Sequence, residues 1–345
     1  MKRDNRKRFR VNAKDKAEQD FLIGIREECR KANLNHEDVK HGWIKNDNAS
    51  LFFKNPNFKD EQGREIEKIK RELVQWVKDE PKPFRKKEKI KGDHLLLIDP
   101  ADVHIGKLCR SFETGTEYNS QIAVKRVKEG VNGILNNASG WDLDQIALIG
   151  GNDILHIDTP KRQTTSGTPQ DTDGMWYDNF MIAAKLYKDV ISTLAEIAPV
   201  RFIYNPSNHD YTNGFFLAQL IEAYFANDKR ITFDVSIAHR KYYQYHNNMI
   251  GTTHGDGAKI DNLGALMAHE GAKVWANTKH RYIYIHHVHH KMGKDLIGCT
   301  VEALRSPSGT DSWHHRNGYS GNVKAIEGYI HHKEYGQISR LTHIF

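Results

Sequence analysis

The sequence predicts an α/β protein built on a mixed sheet or sheets, preceded by a small, mainly helical basic region. Three observations carry this. From about residue 93, short apolar runs alternate with segments of helical period. Later in the chain, hairpin-like pairs of runs appear. Finally, charge divides the 345 residues in two. Residues 1–92 hold 26 Lys and Arg against 17 Asp and Glu, a net charge of +9, whereas residues 93–345 hold 25 against 27, or −2. Histidine runs the other way: of 20 in the chain, only His36 and His41 precede residue 93. The expected organisation is a basic region and linker over 1–92 and one larger domain over 93–345.

Within the basic region, six of the nine residues from Lys2 to Arg10 are cationic, which reads as a disordered arm. A second run, Lys82 to Lys91, follows Pro81 and includes Pro83, and reads as an interdomain linker. Between them, Ala17, Phe21, Ile25 and Cys29 predict a helix over about 14–32, and Ile66, Ile69, Leu73 and Val77 another over about 62–79. The intervening HGWIKNDNASLFFKNP has the make-up of a short strand or hairpin. Basic arms and linkers attract phosphate backbones, with salt-dependent affinity. Solubility or a protein contact explains the same charge without nucleic acid.

Hydrophobic residues make up 38% of the chain and charged residues 28%, enough for a packed core and against wholesale disorder. No apolar run approaches the length of a membrane helix, and none follows the basic start, so neither a span nor a signal peptide is expected. Cys29, Cys109 and Cys299 are odd in number and far apart, which excludes a disulfide framework and points to a reducing cytoplasm. Twenty histidines, by contrast, is roughly two to three times ordinary usage.

The strands expected in the body are Leu95–Ile98, Ile146–Ile149, Val200–Tyr204, Met249–Thr253 and Tyr282–His286, with a helix over about 176–198 and an Asn-Asn turn inside KYYQYHNNMIGTT. Each run is followed by polar residues. Asp99, Asp102, His104 and Lys107 follow the first; Asp153 and His156 the second; Asn205, Asn208, His209 and Asp210 the third; His254 and Asp256 the fourth. The fifth runs into His286-His-Val-His289-His290. Strand ends are where α/β proteins assemble sites. In an extended segment, Asp102-x-His104 and His287-x-His289 each aim two donors to one side. Singly, such pairs arise by chance, and a lone Asn208 or His254 is ordinarily a turn residue or a buried histidine. Five in order, each closing an apolar run, point to a metal site. Nitrogen and oxygen donors without sulfur suit Mn, Fe or Zn.

This ordered set resembles the calcineurin-like metallophosphoesterase superfamily, whose pattern runs D-x-H, G-D, G-N-H-[DE], a lone H and G-H-x-H, over roughly residues 94–291. Three glycines of that pattern are replaced, by Asn152, Ser207 and His286, which puts local backbone geometry in question; Gly150 and Gly151 lie where they can supply the flexibility instead. The resemblance implies a four-layer αββα sandwich and a centre of two divalent cations, most simply Mn²⁺, with Fe or Zn as alternatives. It implies Asp102, His104 and His289 on one cation, Asn208, His254 and His287 on the other, and Asp153 between them. His209 corresponds to the family's general acid. His156 stands three residues after the bridging Asp, where many phosphatases of the family have Asp and the SbcD-type DNA repair nucleases often have His.

The function so implied is metal-dependent hydrolysis of a phosphodiester, most simply in DNA, by a bacterial or phage-encoded repair-type nuclease. Relatives in that branch often work as dimers with an ATPase partner, though no partner signature is readable here. Two other readings remain: a phosphatase or nucleotide phosphodiesterase acting on a small or protein substrate, and a non-catalytic nucleic-acid-binding protein with a structural metal. Further stretches carry less. Lys161, Arg162 and Thr164–Asp171 read as a substrate loop or a capped turn, and Arg305–Arg316 as a basic, aromatic stretch suited to stacking on a nucleotide or as a packed surface loop. Lys107 is a candidate phosphate contact, and His331, His332 and His343 match no motif.

Overall fold

The structure is a computed structural model that describes residues 23, 26–35, 39–45, 50–54, 58, 61–78 and 92–345. The chain divides into two compact units, residues 1–78 and 79–345. The expected arm from Lys2 to Arg10 and the linker from Lys82 to Lys91 lie outside the described residues, as does most of the helix expected over 14–32, of which 26–31 is helical.

In the first unit, β1 (His41–Lys45) and β2 (Ser50–Lys54) pair as an antiparallel hairpin, and α1 covers Glu61–Lys78. The expected strand or hairpin and second helix are both present.

The second unit is a four-layer αββα sandwich. One sheet has six strands in the order β13-β12-β3-β4-β5-β6. Its four parallel members are β3 (His94–Asp99), β4 (Leu143–Gly151), β5 (Val200–Asn205) and β6 (Ile231–Asp234); β12 (Ala325–His332) pairs antiparallel with β3, and β13 (Gly336–Ile344) antiparallel with β12 at the edge. The other has five strands in the order β10-β11-β9-β8-β7. Here β8 (Asn248–Thr253), β9 (His280–Ile285) and β11 (Cys299–Ala303) are parallel, with β7 (Arg240–Tyr245) and β10 (Met292–Leu296) antiparallel at the edges.

Period-two alternation sorts each strand's side chains between two apolar layers. Leu95 and Leu97 of β3, Ala147 and Ile149 of β4, Ile203, and Tyr329 pack between the sheets against Tyr245, Ile250 and Tyr284. The alternate residues of the five-stranded sheet, Met249, Ile283, Ile285 and Val301, turn outward onto Leu263 and Met267 of the helix Ile260–Glu270. Beyond the six-stranded sheet lie helices Ser120–Asn137, Trp176–Ala195 and Tyr211–Tyr224. Gly130 brings the first of these close to β12, since a Cβ there would press on Ile326.

The five expected strands are all present, and the helix expected over 176–198 ends at Ala195. The β7–β8 turn lies at His246–Asn247, one residue before the expected pair, because Asn248 already pairs with Tyr245 and His246 takes the positive φ of 47°. All three cysteines are free and buried. Among the described residues, no helix is long and apolar enough to cross a membrane.

The close of β4 is a point of low tolerance. Gly151 has φ 78°, and a Cβ there would collide with the Asn205 carbonyl oxygen. Gly151→Ala is therefore expected to lower stability by more than about 1 kcal/mol, a strained φ and a backbone clash acting together. Chemical denaturation of the variant beside the parent checks this, and an unchanged midpoint would show the turn relaxes freely.

Candidate metal centre

Parallel strands β3, β4 and β5 of one sheet and β8 and β9 of the other deliver the five polar clusters from their carboxyl ends. Backbone hydrogen bonds cross-link the loops that follow. Asp102 N–H donates to the Asn152 carbonyl at 2.9 Å, His104 N–H to that of Asp153 at 2.8 Å, and Ile105 N–H to that of Ile154 at 2.7 Å. Asn152 N–H donates in turn to Asn205 at 3.1 Å, and His286 N–H to His254 at 2.9 Å. Within this lattice Asp102, His104, Asn152, Asp153, His287 and His289 all have positive φ, between 49° and 70°. D-x-H and H-x-H are thus not extended, as strand alternation would have them. Their donors converge because two left-handed residues flank one ordinary residue in each triplet.

The side chains form two groups that meet at one carboxylate. Asp102, His104 and His289 make one, with His104 Nε2 3.3 Å from His289 Nε2 and His289 Nε2 3.6 Å from Asp102 Oδ1. Asp153, His254 and His287 make the other, with His287 Nδ1 3.2 Å from His254 Nε2. Asn208 Oδ1 lies 2.8 Å from His254 Nε2, adding a neutral oxygen. The Asp153 Oδ2 atom stands 3.7 Å from His104 Nε2 and 3.4 Å from His254 Nε2, facing both groups. All seven predicted donors are therefore brought together. Asp102, His104, Asp153, His254 and His289 form a buried floor; Asn208 is half-buried and His287 exposed, so the centre opens on that side.

The donor set fits a divalent cation. Imidazole nitrogens 3.2–3.3 Å apart have the spacing of neighbouring ligands on one ion, each at about 2.1 Å from it. Burial holds His104 and His289 well below the usual histidine pKa, as neutral donors, and also lowers His287 with help from the His254 charge. Burial pushes Asp102 up to about 7, against the pull of His254. For Asp153 burial is outweighed by the charges of His254 and His209, which keep it a carboxylate. Burial likewise opposes the His254 cation, but the Asp153 carboxylate overcomes it and raises this imidazole to about 9.

His209 is half-buried beside the centre. Its backbone N–H donates to Asp153 Oδ1 at 3.0 Å, and its Nδ1 to the His156 carbonyl oxygen at 2.9 Å. The His156 ring is buried, stacked on His209 at 5.2 Å and 18°, with its Nδ1 3.2 Å from His104 Nδ1. His156 thus sits behind His104 and beside His209.

Several supporting residues were not legible in the sequence. Ser207 Oγ accepts the Asp153 N–H at 2.7 Å and donates to Asp210 at 2.6 Å, and Asp210 also accepts the Leu155 N–H at 2.9 Å. His286 Nε2 pairs with Asp99 Oδ2 at 2.9 Å and its Nδ1 lies 3.0 Å from the Thr253 carbonyl, with both side chains fully buried. Neither Ser207 nor His286 has positive φ, so neither position needs the glycine of the pattern, and each uses its side chain as an anchor. Asn152 does take the left-handed conformation, at 54°, which Asn tolerates better than most residues. Its neighbour Gly151 is also at positive φ.

Lys107 does not face the opening. It is 1% exposed and pairs with Asp311 at 2.8 Å. The hydroxyl-rich loop is largely exposed and is tied beside the centre: Thr165 N–H donates to the Asn208 carbonyl at 3.2 Å and Thr165 Oγ1 to Asp158 at 2.9 Å. Asp158 in turn accepts the Thr212 and Asn213 N–H groups at the start of helix Tyr211–Tyr224. His331, His332 and His343 lie on β12 and β13, away from the donor groups.

Layer order, parallel-strand edges and the ordered clusters agree with what the resemblance to the calcineurin-like metallophosphoesterases implies. Among solved structures, the chain is similar to a novel archaeal phosphodiesterase, at 8% identity over 73% of this chain and 99% of that one, with a TM-score of 0.35. A predicted phosphoesterase from Streptococcus pneumoniae is 11% identical over 73% and 97%, with a TM-score of 0.29. The Vacuolar Protein Sorting 29 protein of Cryptosporidium parvum is 11% identical over 74% and 98%, with a TM-score of 0.33. Likenesses this slight say nothing of substrate, and the site's own geometry decides its chemistry. No protein-family model matches the sequence, and comparison with curated proteins gives no match.

Metal binding at these donors requires Asp102 as carboxylate and His254 as neutral imidazole. Without metal, Asp102 is protonated below about pH 7 and His254 below about pH 9. Affinity for a divalent cation is therefore expected to rise with pH through both values. Titration calorimetry in buffers of different ionisation enthalpy should find more protons released by these groups on metal binding at pH 6 than at pH 8. Release that does not change with pH would remove these two groups from the donor set.

Proposed function

We propose that this chain is a metal-dependent phosphodiesterase that cleaves DNA, its centre holding two divalent cations, with manganese the first choice. The observation that carries the reading is the Asp153 carboxylate, whose Oδ2 faces His104 at 3.7 Å and His254 at 3.4 Å, so that one anion is shared by two donor groups. Asp102, His104 and His289 would hold one cation, and Asn208, His254 and His287 the other. When bound, two cations so placed would supply an activated water and neutralise the phosphate.

The protein's own groups do the rest. Neutral histidines leave the loaded centre with a net positive charge, which favours an anionic substrate. Because the His209 Nδ1–H is committed to the His156 carbonyl, Nε2 is the atom free to carry a proton to a leaving oxygen. His156 acts through His209, its carbonyl fixing the tautomer and its ring the plane, rather than on the phosphate. Histidine at this position, frequent in the SbcD-type repair nucleases, and the +9 charge of residues 1–92 support DNA over a small phosphoester.

Metal-stripped protein given Mn²⁺ is expected to degrade end-labelled DNA and to hydrolyse bis-p-nitrophenyl phosphate. Asp153→Ala and His287→Ala should abolish both activities. His209→Ala should lose about 10²–10⁴-fold on DNA, whose alkoxide leaving group needs a proton, and much less on the nitrophenyl ester, whose leaving group does not. Equal losses on both substrates would deny His209 the role of acid. Ester hydrolysis with DNA left intact would make the chain a small-substrate phosphoesterase instead.

A further inference from the structure

A row of aromatic rings leads from the donor group out to solvent. His314, on the short helix Ser312–Arg316, lies parallel to His289, ring centroids 5.2 Å apart and planes at 16°. Trp313 meets His314 edge-on at 5.1 Å, and Tyr319 stacks on Trp313 at 5.8 Å and 21°. The inner ring is fixed: Asp311 accepts from His314 N–H at 2.8 Å and Nδ1 at 2.7 Å, and is itself held by the buried Lys107. The outer rings are open, with Trp313 62% and Tyr319 54% exposed. Beside them the turn Ser111–Thr114 presents Phe112, 88% exposed, tied to this loop through Thr116 Oγ1, which donates to the Thr310 carbonyl and accepts its N–H, both at 3.2 Å.

Large apolar rings in water are unfavourable at about 25 cal/mol per Å². Rigidly mounted rings reached by one imidazole step from a donor of the centre have a natural occupant in a planar, partly apolar group attached to what the centre holds. A nucleobase meets that description; it stacks on an aromatic face regardless of sequence. A pair inside a closed duplex has both faces covered by its neighbours, so the occupant is a base of a single strand or of an opened end.

We infer that Trp313 and Tyr319 form a stacking platform for an unpaired base of the DNA strand whose phosphate the centre binds. This rests on the phosphodiesterase reading above and adds a substrate preference to it: single strands and frayed ends over closed duplex.

The test measures binding of a fluorescently labelled thymidine oligonucleotide and of the same oligonucleotide with abasic sites, by anisotropy, to the full chain loaded with Ca²⁺. The parent is expected to bind the base-bearing strand about 5- to 100-fold more tightly than the abasic one. Trp313→Ala with Tyr319→Ala should erase that difference, and Trp313→Phe should keep most of it. A parent that binds the two strands alike, or a double variant that still separates them, overturns the platform. If the difference behaves as expected but no diester is hydrolysed with Mn²⁺, the platform stands and the phosphodiesterase reading falls.

Discussion

Asp102, His104, Asp153, His287 and His289 are held, with Asn152, in a backbone conformation that costs a residue other than glycine about 1–3 kcal/mol. Such geometry persists only where the surroundings over-determine it. Here they do so through the backbone ladder that ties the Asp102–Ile105 segment to Asn152–Ile154, and Asn152 to Asn205. The Ser306 hydroxyl adds a bond to the Asp102 carbonyl at 2.7 Å. The left-handed backbone turns Asp102 and His104 into one donor group and divides His287 and His289 between the two. Everything else in the domain serves to hold these loops against one another.

That is why the centre belongs to two sheets at once. Asp153 leaves β4 in the middle of one sheet, while His254, His287 and His289 leave β8 and β9 of the other. Their relative position is set by the apolar layer between, where Tyr284 of one sheet and Tyr329 of the other lie 4.4 Å apart. Loss of packing there separates the two donor groups, so stability of the sandwich and geometry of the site are one property.

The departures from the family pattern show how side chains stand in for backbone freedom. Ser207 has no need of positive φ, and its hydroxyl links the Asp153 amide to Asp210. His286 forms a fully buried pair with Asp99 at the carboxyl end of β3, across from one sheet to the other. A buried pair of this kind is costly to break, since either partner alone leaves a polar group without its bond. At these two positions the glycines are replaced by anchors, and of the three replaced glycines only the one at Asn152 has a successor in the left-handed conformation.

The sequence by itself determined the strands that carry the site, because each is a short apolar run closed by polar residues, and it singled out seven side chains that the structure brings together, because each closes or follows one of those runs. It also located the hairpin and second helix of the basic region. Only the tertiary structure decided how donors grouped, since His104 and His289 are 185 residues apart and meet at 3.3 Å. It moved Lys107 from the opening to a buried pair, and it set His156 behind His104 and beside His209. It replaced strand alternation by left-handed backbone as the reason each triplet converges. Those outcomes depend on distances between segments remote in sequence and on local φ, which are settled by packing and cross-loop hydrogen bonds rather than by any pattern of residue types.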